Sequence, residues 1–411
     1  MDSISRDSDD RGGWLLVGMV FLAITAACRP SDRLPASATD SVATAATATV
    51  PQAVTLVPEA PPPLPAVTTG PRQACAITGA GDAYCWGGRS NWMAQTRRPL
   101  PFGESIRWRM VSVAFDRGCG LDVEGATYCW GSNAEGQLGV APDSLRHPAP
   151  VRITGLPPLL NLATAQGHTC GLTADGEAYC WGENQNGELG RGTRTPWEAA
   201  GPVVGDLGFV SVVTILNTTC ALTPAGEPYC WGLSMYGEVG YRPEESCADV
   251  HPVNIPGTRP LFLCSTLPGA VETDLRFNVY DLTRHRTCGV TLSGDGYCWA
   301  TTAYPEPALP SPKLVADGFA LKSITVAGAH RCALTETGQA VCEGRNERDQ
   351  LGVADSPLRY RMLSAGDDFT CGMTVQNRVF CWGRDWDRGV LGPVTGNSAE
   401  AVEIRIPGLE E

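Results

Sequence analysis

One short motif recurs seven times along the chain: a cysteine, nine further residues, a second cysteine and, in most copies, Trp-Gly. The copies begin at Cys75, Cys119, Cys170, Cys220, Cys288, Cys332 and Cys371. A period of a few tens of residues is typical of solenoids, propellers and other arrays, in which each unit is one small supersecondary element. The repeat therefore constrains the fold more strongly than the length of 411 residues does.

Each copy is predicted to be a β-hairpin. The residue six places after the first cysteine is glycine in six copies and Asn377 in the seventh, and both residue types adopt positive φ at low cost. A three-residue hairpin loop requires such a residue at its last position. With residues 174–176 in that loop, Thr173 pairs with Glu177, and Cys170 lies directly opposite Cys180.

Counting residues outward from the hairpin loop in the same way places the two cysteines of every copy opposite each other. Cross-strand neighbours have Cβ atoms about 4.5–5.5 Å apart, close to disulfide reach. An even set of regularly spaced cysteines in an exported chain indicates disulfides, whereas zinc sites favour C-x-x-C spacings or nearby histidines. We expect eight bridges: Cys75–Cys85, Cys119–Cys129, Cys170–Cys180, Cys220–Cys230, Cys247–Cys264, Cys288–Cys298, Cys332–Cys342 and Cys371–Cys381.

The sequence around each hairpin predicts two more strands. An apolar run precedes the hairpin, as in 159–165 and 321–329, and a Gly-rich loop follows it. A further short strand is expected near a proline, as in 150–156 and 252–258. A unit of about four strands with one apolar face cannot fold alone. Radial stacking of such units gives an all-β protein, a seven-bladed β-propeller.

The best-formed copy, AQGHTCGLTADGEAYCWGENQNGELGRGT (165–193), resembles the repeat of the regulator of chromosome condensation (RCC1) family. The resemblance covers roughly residues 66–408 and implies a seven-bladed propeller. It weakens in the Cys332 copy, where Glu343 replaces the tryptophan, and in the Cys288 copy, which lacks the Gly-rich loop. The founding member of the family catalyses guanine-nucleotide exchange, and a secreted propeller of this repeat type inhibits β-lactamases.

The N-terminus predicts export. Residues 1–27 contain an apolar core from Trp14 to Ala27, which is too short for a membrane span but suits a signal peptide. Small residues directly before Cys28 resemble a bacterial lipoprotein signal, in which that cysteine is lipidated. An ordinary cleaved signal peptide is the alternative, since Thr25 departs from the usual pattern. Residues 28–65 are rich in Pro, Ala and Thr and are expected to form a flexible tether to a propeller at 66–411.

Composition and motifs narrow the chemistry. The net charge is −13 and no basic run is present, which disfavours nucleic-acid binding because phosphate contacts dominate such affinity. No catalytic, metal or cofactor motif is recognisable, so we expect neither an enzyme nor a cofactor. His168 and His330 recur at one repeat position before the first cysteine, where a structural role is expected.

Departures from the repeat are candidates for partner binding. Three copies place a large aromatic residue, Trp92, Tyr236 or Trp386, in the loop after the hairpin, and exposed aromatics are common interface anchors. The first cysteines of the fourth and fifth copies are 68 residues apart, against 39–51 elsewhere, which predicts an insertion at about 241–274 containing Cys247 and Cys264. The alternative for the aromatic residues is that each folds back onto its own blade. The alternative for the insertion is a tolerated surface loop with its own disulfide.

The C-terminal stretch AVEIRIPGLEE (401–411) is similar to PVRITGL at 150–156. Because no such stretch precedes the first copy, we expect the C-terminal strand to close the ring by completing the blade of Cys75 and Cys85. The function expected is that of a monomeric, exported, membrane-tethered binding or scaffold module with an unknown protein or cell-envelope partner. A bacterial outer membrane or cell surface is the expected location. A secreted enzyme inhibitor is the alternative, and nucleotide exchange on a GTPase is disfavoured by the export signal.

Overall fold

The computed structural model describes residues 64–409, apart from 89–94, 236, 248–262, 284–285, 300–311, 329, 354–355 and 386–388. The regular structure in this part of the chain is β-strand, and the strands form seven sheets. The predicted all-β, seven-bladed propeller is therefore confirmed. No helix in the described residues is long and apolar enough to cross a membrane.

Each blade begins with an inner strand and continues through the cysteine hairpin, and six blades have a described outer strand. Blades 1 and 2 contain β1 (Ala66–Thr69), β2 (Gln73–Ile77), β3 (Ala83–Gly87) and β4 (Thr96–Phe102), then β5 (Trp108–Val113), β6 (Arg117–Asp122), β7 (Thr127–Ser132) and β8 (Arg146–Arg152). Blades 3 and 4 contain β9 (Asn161–Thr164), β10 (His168–Leu172), β11 (Ala178–Glu183) and β12 (Trp197–Pro202), then β13 (Ser211–Ile215), β14 (Thr218–Leu222), β15 (Pro228–Ser234), β16 (Glu245–Ser246) and β17 (Leu263–Ala270).

Blades 5 to 7 follow the same order. Blade 5 contains β18 (Phe277–Thr283), β19 (Arg286–Thr291), β20 (Gly296–Trp299) and β21 (Lys313–Val315). Blade 6 contains β22 (Leu321–Val326), β23 (His330–Thr335) and β24 (Ala340–Gly344), and blade 7 contains β25 (Tyr360–Ala365), β26 (Phe369–Thr374), β27 (Val379–Gly383) and β28 (Ser398–Ile404). Blade 6 thus has three strands among the described residues, one fewer than the repeat predicts.

The hairpin register is as predicted. Cys170 lies opposite Cys180, and the Thr173 amide donates to the Glu177 carbonyl at 3.0 Å. The turn residue has positive φ in all seven copies, from 62° at Asn377 to 88° at Gly294. In each hairpin the two cysteines have Cα atoms 4.0–4.1 Å apart and sulfur atoms at bonding distance.

The apolar core lies between the blades. Each of seven buried clusters combines side chains of two neighbouring blades. Between blades 1 and 2, for example, Cys75 and Ile77 pack against Trp108 and Trp130. The cysteine pairs are part of these clusters, so each bridge fixes a hairpin at the surface where it meets its neighbour.

The expected closure by a shared strand is wrong. β28 pairs with β27 of its own blade, with Val379 opposite Ile404, while β1 at the other end of the chain supplies the inner strand of blade 1. The C-terminal segment closes the ring through side chains instead. Ile404, Ile406 and Leu409 are buried in the cluster that joins blade 7 to blade 1.

The closing junction repeats contacts found elsewhere in the ring. The Trp86 indole of blade 1 donates to the Val390 carbonyl of blade 7 at 3.0 Å, as Trp231 donates to Glu188 at 2.7 Å between blades 4 and 3. A ring whose ends meet through ordinary blade contacts needs no exchanged strand, because both terminal sheets are already complete.

The insertion is shorter than expected. Residues 263–270 form β17, which pairs with β15 as the outer strand of blade 4, so the added chain is 241–262 and not 241–274, and the strand predicted at 252–258 is not that outer strand. The Cα atoms of Cys247 and Cys264 are 5.9 Å apart, with their sulfurs at bonding distance. The guanidinium of Arg194 in blade 3 donates to the Ser246 carbonyl at 3.0 Å, which ties the start of the insertion to the neighbouring blade.

Candidate functional site

A cavity of about 670 Å³ lies on the ring axis and is lined by the ends of all seven inner strands and by the six described turns that follow them. We call it the funnel. Its walls are formed by 68–71, 112–115, 163–166, 213–216, 281–283, 325–328 and 364–367. In each blade the first and third strands run in the same direction, because both are antiparallel to the second strand. The third strand therefore ends on the same side of the ring as the turns that line the funnel. We call this side the loop face and the opposite side, with the hairpin turns, the hairpin face.

Hydrogen bonds join neighbouring inner strands around the funnel. In blades 2, 5, 6 and 7 the side chain of the residue opposite the first cysteine accepts a bond from a backbone amide of the next blade. Ser112 accepts from Thr164 at 3.2 Å, and Thr325 accepts from Ala365 at 3.1 Å. Ser364 accepts from Thr69 at 3.0 Å across the closing junction. These bonds cap amide groups that a free strand edge would otherwise expose.

This pattern is interrupted between blades 4 and 5, where Val213 lies opposite Cys220, and between blades 3 and 4. Ala163 occupies the acceptor position opposite Cys170 and has no oxygen in its side chain. The register places Thr214 of blade 4 where Thr164 stands in blade 3. The Thr214 hydroxyl is buried with no hydrogen-bond partner among the described groups.

Replacing Ala163 with serine should complete the interrupted junction. The new hydroxyl would stand where Ser112 and Ser364 stand and would accept the Thr214 amide, which adds about 1 kcal/mol to the free energy of unfolding. Thermal unfolding and amide hydrogen exchange at Thr214 measure the effect, with Ala163→Val as an apolar control. Unchanged exchange at Thr214 in Ala163→Ser would contradict the proposed register.

Two carboxylates line the funnel, and the described lining residues include no lysine or arginine. Asp281 accepts backbone amides from Val326 at 2.8 Å and Leu282 at 2.9 Å, and burial raises its pKa to about 6. No described side chain donates a hydrogen bond to the carboxylate of Asp367. Burial also raises the pKa of Asp367, an effect that the nearby Arg72 charge partly offsets.

The rim of the funnel consists of two-residue turns between the first and second strands. The first residue of each turn differs from blade to blade; the described ones are Pro71, Phe115, Gln166, Leu216, Gly328 and Asp367. Phe115 is 43% exposed, which is high for an aromatic side chain. The rim therefore presents different chemistry on different sides of one opening, as a recognition surface requires.

The repeat position two residues before the first cysteine connects blades below the rim. His168 is hydrogen-bonded to Thr219 of the next blade at 2.8 Å, and His330 to Thr370 at 2.8 Å. Both imidazoles are buried, and burial lowers the pKa of His168 to about 3 and of His330 to about 4. Both are therefore neutral near pH 7 and act as structural bridges, in the role expected from the repeat.

The remaining predicted site residues lie outside the described part of the chain. These are Cys28 and the three aromatic residues Trp92, Tyr236 and Trp386. The strands that lead to the three aromatics, β3, β15 and β27, end on the loop face.

Sequence reasoning did not identify the rim residues, whose only signal is that one turn position varies between otherwise similar copies. No group of three or more metal-ligating side chains occurs among the described residues.

These features define a seven-bladed propeller of disulfide-linked hairpins around an axial funnel. Family models of the regulator of chromosome condensation (RCC1) repeat match residues 124–172, 166–188 and 363–386. The chain therefore contains RCC1 repeats and is an RCC1-like propeller, as its resemblance to that family implied.

Curated relatives match parts of the chain. The Protein RCC2 homolog of Danio rerio is 43% identical over 77 residues, which are 18% of this chain and 15% of that protein. Protein pim1 of Schizosaccharomyces pombe is 24% identical over 324 residues, which are 69% of this chain and 50% of that protein. The chain thus spans half or less of the length of these relatives.

Solved structures share the fold. Human WBSCR16 has a TM-score of 0.63 at 15% identity, with 76% of this chain and 86% of that chain covered. Prp20p of Saccharomyces cerevisiae, described with its binding to Gsp1p and histones, has a TM-score of 0.53 at 16% identity, with 83% and 77% covered. The ectodomain of the Arabidopsis thaliana receptor kinase ACR4 has a TM-score of 0.53 at 17% identity, with 83% and 98% covered.

Proposed function

We propose that this protein is an exported binding module, tethered to a bacterial outer membrane or cell surface through a lipid on Cys28, whose loop face binds a protein partner at the funnel. The observation that carries the proposal is the open funnel, to which the six described turns contribute different side chains. Rigid strands hold these turns, and variable turns on a rigid scaffold are the usual arrangement of a binding surface.

Export is supported by the signal-like N-terminus and by the cysteine pairs. Eight pairs at disulfide distance suit an oxidising compartment outside the cytoplasm. The similarity in fold to a receptor-kinase ectodomain is consistent with a propeller of this type working outside a cell. Protein binding is supported by the fold shared with Prp20p, whose described ligands are proteins.

Site-specific photocrosslinking in intact cells tests the binding face. A photoreactive residue at Gln166 on the funnel rim should form a defined protein adduct, whereas one at Asp206, exposed on the hairpin face, should not. The Cys28→Ser variant should leave the membrane fraction, as should the wild type when lipoprotein processing is inhibited. Adducts at Asp206 alone, or at neither position, would show that the funnel is not the binding site.

A further inference from the structure

The funnel rim combines apolar side chains on one arc with a carboxylate on another. Phe115 and Leu216 are the first turn residues of blades 2 and 4, which flank Gln166 of blade 3. Their turns are closed in the same way as the others; the Ala114 amide, for example, bonds to the Arg117 carbonyl at 2.9 Å. Because these turns need no apolar side chain at this position, Phe115 and Leu216 are not explained by the fold.

Leu216 stands at the rim in a strained conformation. Its φ is 42°, whereas Phe115, Gln166 and Asp367 at the equivalent position have no positive φ. The left-handed region costs a branched L-residue about 1 kcal/mol or more, and glycine or asparagine occupies it far more readily. Strained residues of this kind cluster at binding and catalytic sites, so an observed outlier is a reason to look for function.

Asp367 provides the polar side of the same opening. Its backbone amide is bonded to the Pro71 carbonyl of blade 1 at 3.3 Å, which fixes the residue at the rim, while its carboxylate accepts no hydrogen bond from the described side chains. The side chain is half-buried, and burial raises its pKa more than the nearby Arg72 charge lowers it, so a further cation or donor at the carboxylate would be stabilising. The rim thus holds, near the charge of Arg72, a carboxylate that accepts no hydrogen bond from a described side chain, on a different arc from Phe115 and Leu216.

We propose that the funnel rim recognises a protein segment in which an apolar side chain stands next to a lysine or arginine. Phe115 and Leu216 take the apolar side chain, and Asp367 takes the cation. This inference rests on the proposed function, since it assigns a chemistry to the partner that binds the funnel. The cation also complements the funnel as a whole, whose described lining carries Asp281 and Asp367 as its only charged groups.

Two synthetic peptides, Ac-Gly-Phe-Lys-Gly-NH2 and Ac-Gly-Phe-Glu-Gly-NH2, test this recognition on the purified full chain by amide chemical shifts. The lysine peptide should shift the Phe115 and Leu216 amides in a saturable way, and the glutamate peptide should bind at least about tenfold more weakly, because a charge-assisted contact is lost and repulsion replaces it. In Asp367→Asn the difference between the peptides should fall below about threefold. Equal binding of both peptides by the wild type would overturn the inference.

Leu216→Gly separates recognition from folding. Glycine relieves the strain at positive φ, so this variant should melt at the same temperature as the wild type or higher, yet bind the lysine peptide several-fold more weakly because the apolar contact is gone. Full binding by Leu216→Gly would refute the role of the apolar arc. If the Gln166 crosslink in cells survives unchanged in both Leu216→Gly and Asp367→Asn, the funnel remains the binding site and only the assigned chemistry is wrong.

Discussion

Replacing Arg117 with methionine should lower the free energy of unfolding by at least about 3 kcal/mol, because several buried carbonyl groups would lose their donor at once. The guanidinium is fully buried and lies between blades 2 and 3. It donates to the carbonyls of Ala165 at 2.9 Å and Gln166 at 3.0 Å, to that of Gln137 at 3.0 Å, and to that of His168. Chemical denaturation monitored by tryptophan fluorescence measures the loss.

The charge of Arg117 is retained in spite of its burial. Burial lowers its pKa to about 9, while the nearby carboxylates of Asp116 and Glu183 raise it, so the group is still a cation near pH 7. Most of its acceptors are backbone carbonyls, which supply partial negative charge around the guanidinium. The penalty predicted for Arg117→Met therefore comes mainly from unsatisfied acceptors, and the loss of the cation near Asp116 and Glu183 adds to it.

Arg117→His is the matched control for this position. His168 and His330 occupy the equivalent site in blades 3 and 6 and bond to the threonine before the next cysteine. The equivalent threonine facing Arg117 is Thr169 of blade 3, which directly precedes Cys170. It already accepts a bond from Arg117 at 2.8 Å. The histidine variant should therefore recover part of the stability that methionine loses. Equal destabilisation by both variants would show that the site depends on the guanidinium alone.

Local features of the fold could be predicted from the sequence because the repeat encodes them residue by residue. Asn377 in place of glycine identified the position that requires positive φ, and counting back from it gave the opposition of Cys371 and Cys381. The number of blades followed from the number of copies. These inferences need only short-range geometry, which each copy of the motif repeats.

The way in which the ring closes could not be predicted from such short-range geometry. The similarity of 401–411 to the stretch at 150–156 correctly predicts an outer strand, but the prediction places it in the first blade, whereas it belongs to the last. The inner strand of blade 1 is only Ala66–Thr69 and follows a proline-rich segment, so it gives little signal of its own. The strand order within a blade, and not the similarity of the stretch, decides where the C-terminal strand belongs.

The funnel rim was missed for a different reason. Phe115, Leu216 and Asp367 are separated by 101 and 151 residues in sequence and become neighbours of one opening only when the ring closes. Each occupies a turn position that tolerates most residues, so none differs from an ordinary surface residue in its own copy. The aromatic residues chosen from the sequence follow the third strand of a blade, whereas the described rim residues follow the first.

Removing residues 405–411 should lower the free energy of unfolding by about 4 kcal/mol or more, although no strand pairing is lost. The last pair of β28 is Ile404 opposite Val379, and the deletion begins after it. It removes Ile406 and Leu409, which are 1% and 6% exposed and pack between blades 7 and 1. Loss of one buried Ile or Leu side chain typically costs about 2–5 kcal/mol, and the other apolar residues of this cluster already pack within it.

A pair of substitutions distinguishes side-chain closure from backbone closure at this junction. Ile406→Ala combined with Leu409→Ala keeps the backbone of the segment, including the bond from the Leu409 amide to the Ile406 carbonyl, but removes its apolar contacts. If packing closes the ring, the double variant should reproduce most of the loss seen on deletion, while Glu400→Ala, at an exposed position, should change stability by less than about 0.5 kcal/mol. A double variant as stable as the wild type, beside a destabilised deletion, would mean that the backbone of this segment holds the ring closed.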